Sequence, residues 1–188
     1  MIKIGITGSL ASGKTTASKM ISRGRGPLFS ADQEVKKLYS KKSFRRTVAR
    51  KLNFKLDTHF TNKIKNLVLE RQGTLKKLER IIHPLVRKNM HAFSRKNGNK
   101  KFLFFEIPLL IESKLIKNFD IVLFIKSKKS LRLKRYKANK GNLKFFNFLD
   151  RQQINVNKKM KYCDYIVVNN SSLSVLKENL SNIMKFYE

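Results

Sequence analysis

The chain has 188 residues, is 41% hydrophobic, and sets 43 Lys and Arg against 12 Asp and Glu, a formal charge of +31. That length allows one domain, or one domain with an inserted lobe, around a real apolar core. No apolar run reaches the about 18 residues of a membrane span, the single Cys163 excludes an internal disulfide and suits a reducing, cytoplasmic setting, and no Cys/His cluster supports structural zinc.

In chain order, residues 1–7 form a β-branched run that reads as a buried strand, not a signal peptide. Gly8-Ser9-Leu10-Ala11-Ser12-Gly13-Lys14-Thr15 follows at once and satisfies G-x-x-x-x-G-K-[ST]. Glycines let such a loop wrap a phosphate with its N–H groups, and the helix opening at Thr15-Thr16 adds its positive end. Residues Ser9 to Thr16 are therefore the candidate nucleotide-binding segment. Lys14 is suited to the β- and γ-phosphates, and the Thr15 hydroxyl to Mg²⁺. A short strand at 27–30 precedes Asp32. Residues from 34 to 97 carry helical periodicity, including Leu75, Leu78, Ile81, Ile82, Leu85 and Val86 at spacings of three and four, with a kink or break expected at Pro84.

Three more apolar runs follow: 101–106, ending in Glu106, then 120–125 and 165–168. Continuous apolar strands separated by helices argue a parallel sheet covered on both faces. The expected architecture is α/β, a doubly wound five-stranded parallel sheet. Its core is 1–33, 98–125 and 161–188, with a helical lobe at about 34–97 and a basic lid at about 126–160. Ligands in such sheets lie at the carboxyl ends of the strands, which singles out the loop, Asp32, Glu106 and the basic stretch after Ile125. That stretch holds nine Lys and Arg between Lys126 and Lys144, and Arg132 and Arg135 share a helix face there. Arginines of this kind suit bidentate contact with transferring phosphates. A second run, nine basic residues from Lys36 to Lys55, suits a pyrophosphate or plain solvation. Asp32 suits a base that receives or orients an acceptor hydroxyl, or equally a helix N-cap before Gln33-Glu34-Val35. His83 is either a substrate contact or a structural group closing the Pro84 turn. Glu112 is either a cap or a partner for Lys117.

These segments resemble the dephospho-coenzyme A kinase family over nearly the whole chain. The likeness is carried by Gly5 to Thr16, by Ser30-Ala31-Asp32-Gln33-Glu34-Val35, by Leu78-Glu79-Arg80-Ile81-Ile82-His83-Pro84-Leu85-Val86-Arg87, and by Glu106-Ile107-Pro108-Leu109-Leu110-Ile111-Glu112. Gln153, Asp164 and Asn169 fall at the family's C-terminal spacing. The resemblance implies ATP- and Mg²⁺-dependent phosphorylation of the 3′-hydroxyl of the dephospho-coenzyme A ribose. In that reading Lys14, Asp32 and Arg135 are catalytic, and Ser9 to Thr16 with Arg132 hold the nucleotide. Asp32, His83, Glu106, Pro108 and Leu109 meet the substrate, and Thr15 and Glu106 meet the metal.

Several positions depart from the family pattern. Glu106 replaces Asp and reaches one methylene further. Ile111 replaces Phe. Leu149 stands where an arginine is usual, with Arg151 nearby. Asn62 lies near the place of an aspartate–arginine pair, and the helical lobe is short.

Two other readings remain open at this level: a different nucleotide or small-molecule P-loop kinase, and a basic nucleic-acid-binding ATPase. The charge attracts polyanions in general, but no stacking platform or nucleic-acid-reading element is evident, so no specific nucleic-acid partner is expected. Lys-rich solvated faces account for the charge equally well. A monomer is compatible with the sequence, which does not fix the oligomeric state.

Overall fold

The computed structural model describes residues 1–188. In chain order the elements are β1 (Ile2–Gly8), α1 (Lys14–Ser22), β2 (Leu28–Ser30), α2 (Ala31–Ser40), α3 (Lys42–Lys51), α4 (Phe60–Glu70), α5 (Thr74–Lys96), β3 (Phe102–Glu106), β4 (Ile121–Lys126), α6 (Lys129–Ala138), α7 (Leu143–Gln152), α8 (Val156–Met160), β5 (Tyr165–Val168) and α9 (Leu173–Met184). The chain divides into two compact units, Met1–Ser30 with Asn97–Glu188, and Ala31–Lys96.

The first unit is built on a five-stranded sheet of order β2-β3-β1-β4-β5, parallel at every pairing. Its central strands are apolar on both sides, so both faces must be covered. On one face, Ile4 and Ile6 of β1, Phe102 and Phe104 of β3 and Leu123 of β4 pack with Ala17 and Ile21 of α1 and with Leu176, Leu180 and Met184 of α9. On the other face Gly5 leaves no room for a side chain: a Cβ there would stand 2.8 Å from Leu110 Cδ1. Thr7, on that same face, donates from Oγ1 to the Pro108 carbonyl at 3.1 Å. The Pro108-Leu109-Leu110 segment is thereby packed beside the strand that delivers the P-loop. Register puts Gly8 beside Ile125, and Ser30 and Ile6 beside Glu106, so the loop, Glu106 and the end of β4 gather at one end of the sheet.

The second unit is four helices. Tyr39 of α2 stacks on Phe44 of α3 at 5.9 Å and meets Phe60 of α4 edge-on at 5.4 Å. Burial of the Tyr39 ring pushes its hydroxyl up to about 12, so it stays neutral at any physiological pH. Asn89 of α5 donates to Glu34 of α2 at 2.8 Å. Of the kink or break expected at Pro84, the break does not occur: α5 is a single 23-residue helix with Pro84 inside it. A proline removes one backbone donor and crowds one carbonyl. Here the buried positions Thr74, Leu78, Ile82 and Met90 hold the turns on either side. Leu85, placed on the apolar stripe by its spacing, is instead exposed.

Candidate active site

The P-loop joins β1 to α1. Its turn depends on left-handed backbone at Ala11 (φ 57°) and Gly13 (φ 93°). Gly13 is needed for a second reason: a Cβ there would lie 2.2 Å from Asn169 Nδ2. At Gly8, likewise, a Cβ would meet the Ile125 carbonyl at 2.4 Å. Lys14 is buried and donates from Nζ to the Ser9 carbonyl at 2.8 Å, while Ser12 N–H reaches the same carbonyl at 3.2 Å. The ammonium therefore sits folded over the loop, and the first-turn N–H groups of α1 lie at the helix end where anions are favoured.

Thr15 and Glu106 come together beneath the loop, with Thr15 Oγ1 donating to Glu106 Oε1 at 2.5 Å. Glu106 is almost wholly buried at 1% exposure. A buried carboxylate beside a hydroxyl is a pair of hard oxygen donors, the chemistry suited to Mg²⁺, which binds through few protein oxygens and keeps water and phosphate as its other ligands.

Both basic-segment arginines on α6 reach the P-loop backbone. Arg132 donates from Nη1 to the Leu10 carbonyl at 3.2 Å and pairs with Asp150 of α7 at 2.6 Å. Its guanidinium also lies over the Phe146 ring at 5.7 Å. Arg135 donates from Nη1 to the Ser12 carbonyl at 3.3 Å and to Ser127 Oγ at 3.0 Å, and from Nη2 to the Asn169 carbonyl at 3.0 Å. Asn169 follows β5 and is buried, with Nδ2 donating to the Ser12 carbonyl at 2.9 Å. A cavity of ≈ 290 Å³ opens beside the loop, lined by Ser9, Arg132, Asp150, Arg151, Gln153 and Asn155 among others. Arg151 thus lines the same cavity as Arg132.

In the other unit, Asp32 falls within the first turn of α2, which begins at Ala31. It is therefore not the cap residue itself, but a carboxylate in the turn where the helix dipole favours negative charge. His83 is half-buried on α5, and burial, with Arg87 nearby, lowers its pKa below the usual histidine value. Both effects favour the neutral imidazole.

Glu112 does not pair with Lys117. It accepts from the Ile154 N–H at 3.2 Å and forms an ion pair with the fully buried Lys159 at 2.5 Å. That pairing links the end of the Pro-Leu-Leu segment to α8 and to the turn lining the cavity. Asp150, which lines the cavity, and Lys159, which holds Glu112, are partners that the sequence pattern does not single out. Asp150 left a trace in the sequence, as the sole acid between Asp120 and Asp164. Lys159 left none, since nothing local separates it from Lys158.

Cys163 is half-buried at the foot of α8, and burial and Asp164 push its thiol up to about 11. It should be unreactive as well as unpaired. At pH 8 a thiol reagent is expected to modify the folded chain about 100-fold more slowly than the urea-unfolded chain, since the thiolate is the reacting form. Equal rates would show that the site opens freely.

With this geometry, comparison with known proteins is decisive. The sequence model of the dephospho-CoA kinase (CoaE) family matches residues 2–174. The chain belongs to the dephospho-CoA kinase family. A dephospho-CoA kinase of Rickettsia bellii is 30% identical over 98% of this chain and 96% of its own, and that of Rickettsia felis is 33% identical over 94% and 91%. Coverage from end to end means that both units are shared. Among solved structures, TT1252 from Thermus thermophilus superposes with a TM-score of 0.80 at 25% identity, covering 100% of this chain and 98% of that one. The dephospho-CoA kinase of Campylobacter jejuni gives 0.63 at 22% over 99% and 97%. A shikimate kinase of Acinetobacter baumannii, at 0.58 and 15% identity over 99% and 92%, shares the fold. This dephospho-CoA kinase family member is thus a P-loop kinase serving the last step of coenzyme A synthesis, in a family that uses ATP. No helix is long and apolar enough to cross a membrane.

Proposed function

We propose that the chain transfers the γ-phosphoryl group of ATP to the 3′-hydroxyl of dephospho-coenzyme A, releasing ADP and coenzyme A. The observation that carries the assignment of roles is the convergence of the P-loop, Lys14 and the Thr15–Glu106 pair at one end of the sheet. Phosphoryl transfer is chiefly positioning and charge neutralisation. Lys14, bonded to the Ser9 carbonyl, turns its ammonium to the β- and γ-phosphate oxygens when they displace that carbonyl. The loop N–H groups hold the β-phosphate. Thr15 and Glu106 are the residues that would hold Mg²⁺, which when bound neutralises phosphate charge. Glu106 reaches Thr15 through its longer side chain, and the two share a hydrogen bond. Asp32, two residues after the strand whose last residue pairs with Glu106, takes or orients the proton of the acceptor hydroxyl. His83, uncharged, is an acceptor or donor toward the substrate, and Pro108 and Leu109 shape the floor beside β1. Residues 126–160, with Arg132 and Arg135, are a basic lid that adds positive charge at the loop edge. Residues from about 34 to 97 form the acceptor-binding lobe. Cytoplasmic residence and the absence of a specific nucleic-acid partner belong to the same reading.

The direct test is ADP release measured with and without dephospho-coenzyme A. Release is expected only with the acceptor present, together with one equivalent of coenzyme A. ATP turnover indifferent to the acceptor, or stimulated by nucleic acid instead, would overturn the assignment.

A further inference from the structure

The two α6 arginines touch the P-loop at alternate carbonyls. Arg132 reaches Leu10 and Arg135 reaches Ser12. The Ser12 carbonyl is held twice, since Asn169 Nδ2 also donates to it. It lies outside the α1 ladder, which opens with the Ala17 N–H on the Gly13 carbonyl at 3.0 Å. Its donors therefore come from elsewhere in the fold, and both are held in turn. The Asn169 backbone N–H is bonded to the Lys126 carbonyl at 2.8 Å, and its own carbonyl accepts from Arg135 and from Ser127. Arg132 is locked by Asp150 and is itself only 5% exposed.

A trans peptide is planar, with its C=O and N–H pointing in opposite directions, and the chain has no cis peptide bond. Fixing the Ser12 carbonyl toward Asn169 and Arg135 therefore aims the Gly13 N–H the other way. Fixing the Leu10 carbonyl toward Arg132 does the same for the Ala11 N–H. The Ser9 carbonyl behaves differently, facing the Lys14 ammonium and the Ser12 N–H. The 12–13 plane also sits at the left-handed Gly13, whose missing side chain gives it the freedom to rotate. That is the plane held by two donors.

We propose that Asn169 and Arg135, seconded by Arg132, are positioning residues that set the P-loop peptide planes, so that the Gly13 and Ala11 N–H groups are preorganised for a diphosphate. This rests on the nucleotide reading above and adds how the loop is held. It assigns the lid arginines a task they perform before ATP arrives, through the loop and not on the phosphates. Asn169 gains a role through its carboxamide, which donates to a carbonyl and needs no contact with the nucleotide.

The test compares the wild type, Asn169→Leu and Arg135→Lys. Calorimetric affinities for ADP and ATP are measured alongside the amide ¹H–¹⁵N shift of Gly13 with and without ADP. Leucine keeps the branched outline of asparagine, in a larger volume, but has no donor. Lysine keeps the charge of Arg135 but loses the fork that spans Ser12, Ser127 and Asn169. If the planes are set as proposed, each variant loses about tenfold in affinity for ADP and for ATP equally, the worth of roughly one charge-assisted hydrogen bond. The Gly13 amide then loses most of its ADP-induced shift, while dephospho-coenzyme A affinity is unchanged. ADP affinity within twofold of wild type with a normal Gly13 shift overturns the proposal, as does a loss confined to ATP, which would place Arg135 on the γ-phosphate. Should Asn169→Leu not fold, Arg135→Lys gives the same readings. Failure of the wild type itself to bind ADP would overturn the underlying nucleotide reading instead.

Discussion

Lys14→Ala is expected to lower kcat/KM for the dephospho-coenzyme A reaction by about 10³-fold, the scale seen when one preorganised charge is removed from a transferring group. The loss should fall mainly on kcat, because the ammonium matters most where charge shifts between the β- and γ-phosphates. The fold should survive. Lys14 is buried at 7% exposure, and removing an ammonium from such a place relieves desolvation. The Ser9 carbonyl retains the Ser12 N–H. Thermal unfolding within a few degrees of wild type, with turnover almost abolished, is the expected pair of measurements. Turnover within tenfold of wild type would mean that Lys14 is a structural partner of Ser9 and not a phosphate ligand.

Much of this architecture is legible in the sequence because it rests on local demands. Phe102 to Phe105 and Ile121 to Ile125 are buried throughout, and only a strand covered on both faces makes use of so unbroken an apolar run. Gly8 and Gly13 are legible because no side chain fits at either. What the sequence conceals is pairing over distance. Arg132 and Asp150 lie 18 residues apart on different helices, and Asn169 meets Ser12 across 157 residues. Local spacing describes neither. Glu112 shows the same limit in reverse. Lys117 is its near neighbour in sequence, but the sheet and the α8 turn bring it Lys159. Pro84 is a conflict of scales, in which a local breaker sits inside a helix whose buried stripe resumes beyond it. The basic segment after β4 is conspicuous in the sequence by its charge and by the shared helix face of Arg132 and Arg135. Charge does not distinguish an arginine waiting for phosphate from one already bonded to a backbone carbonyl.

Asp32→Asn separates two things a carboxylate in this position does. As a charge in the first turn of α2, Asp32 is worth about 0.3–1 kcal/mol to the helix, or at most a few degrees in the unfolding midpoint of a chain this size. As the group that takes or orients the acceptor proton, it is worth about 10²–10⁴ in kcat. Asparagine keeps the shape and a hydrogen-bonding oxygen but cannot accept a proton, so it removes the second role and only part of the first. The expected result is a fall in kcat of at least 100-fold, with the KM for ATP near normal and the unfolding midpoint lowered by no more than a few degrees. The intact KM matters, because in the proposed reading the P-loop, and not α2, holds the nucleotide. The two effects differ by several kcal/mol, so one variant measured both ways distinguishes them. Near-normal kcat with the same small loss of stability would leave Asp32 as a helix-end charge, and the proton would then need another acceptor among the groups around the substrate hydroxyl.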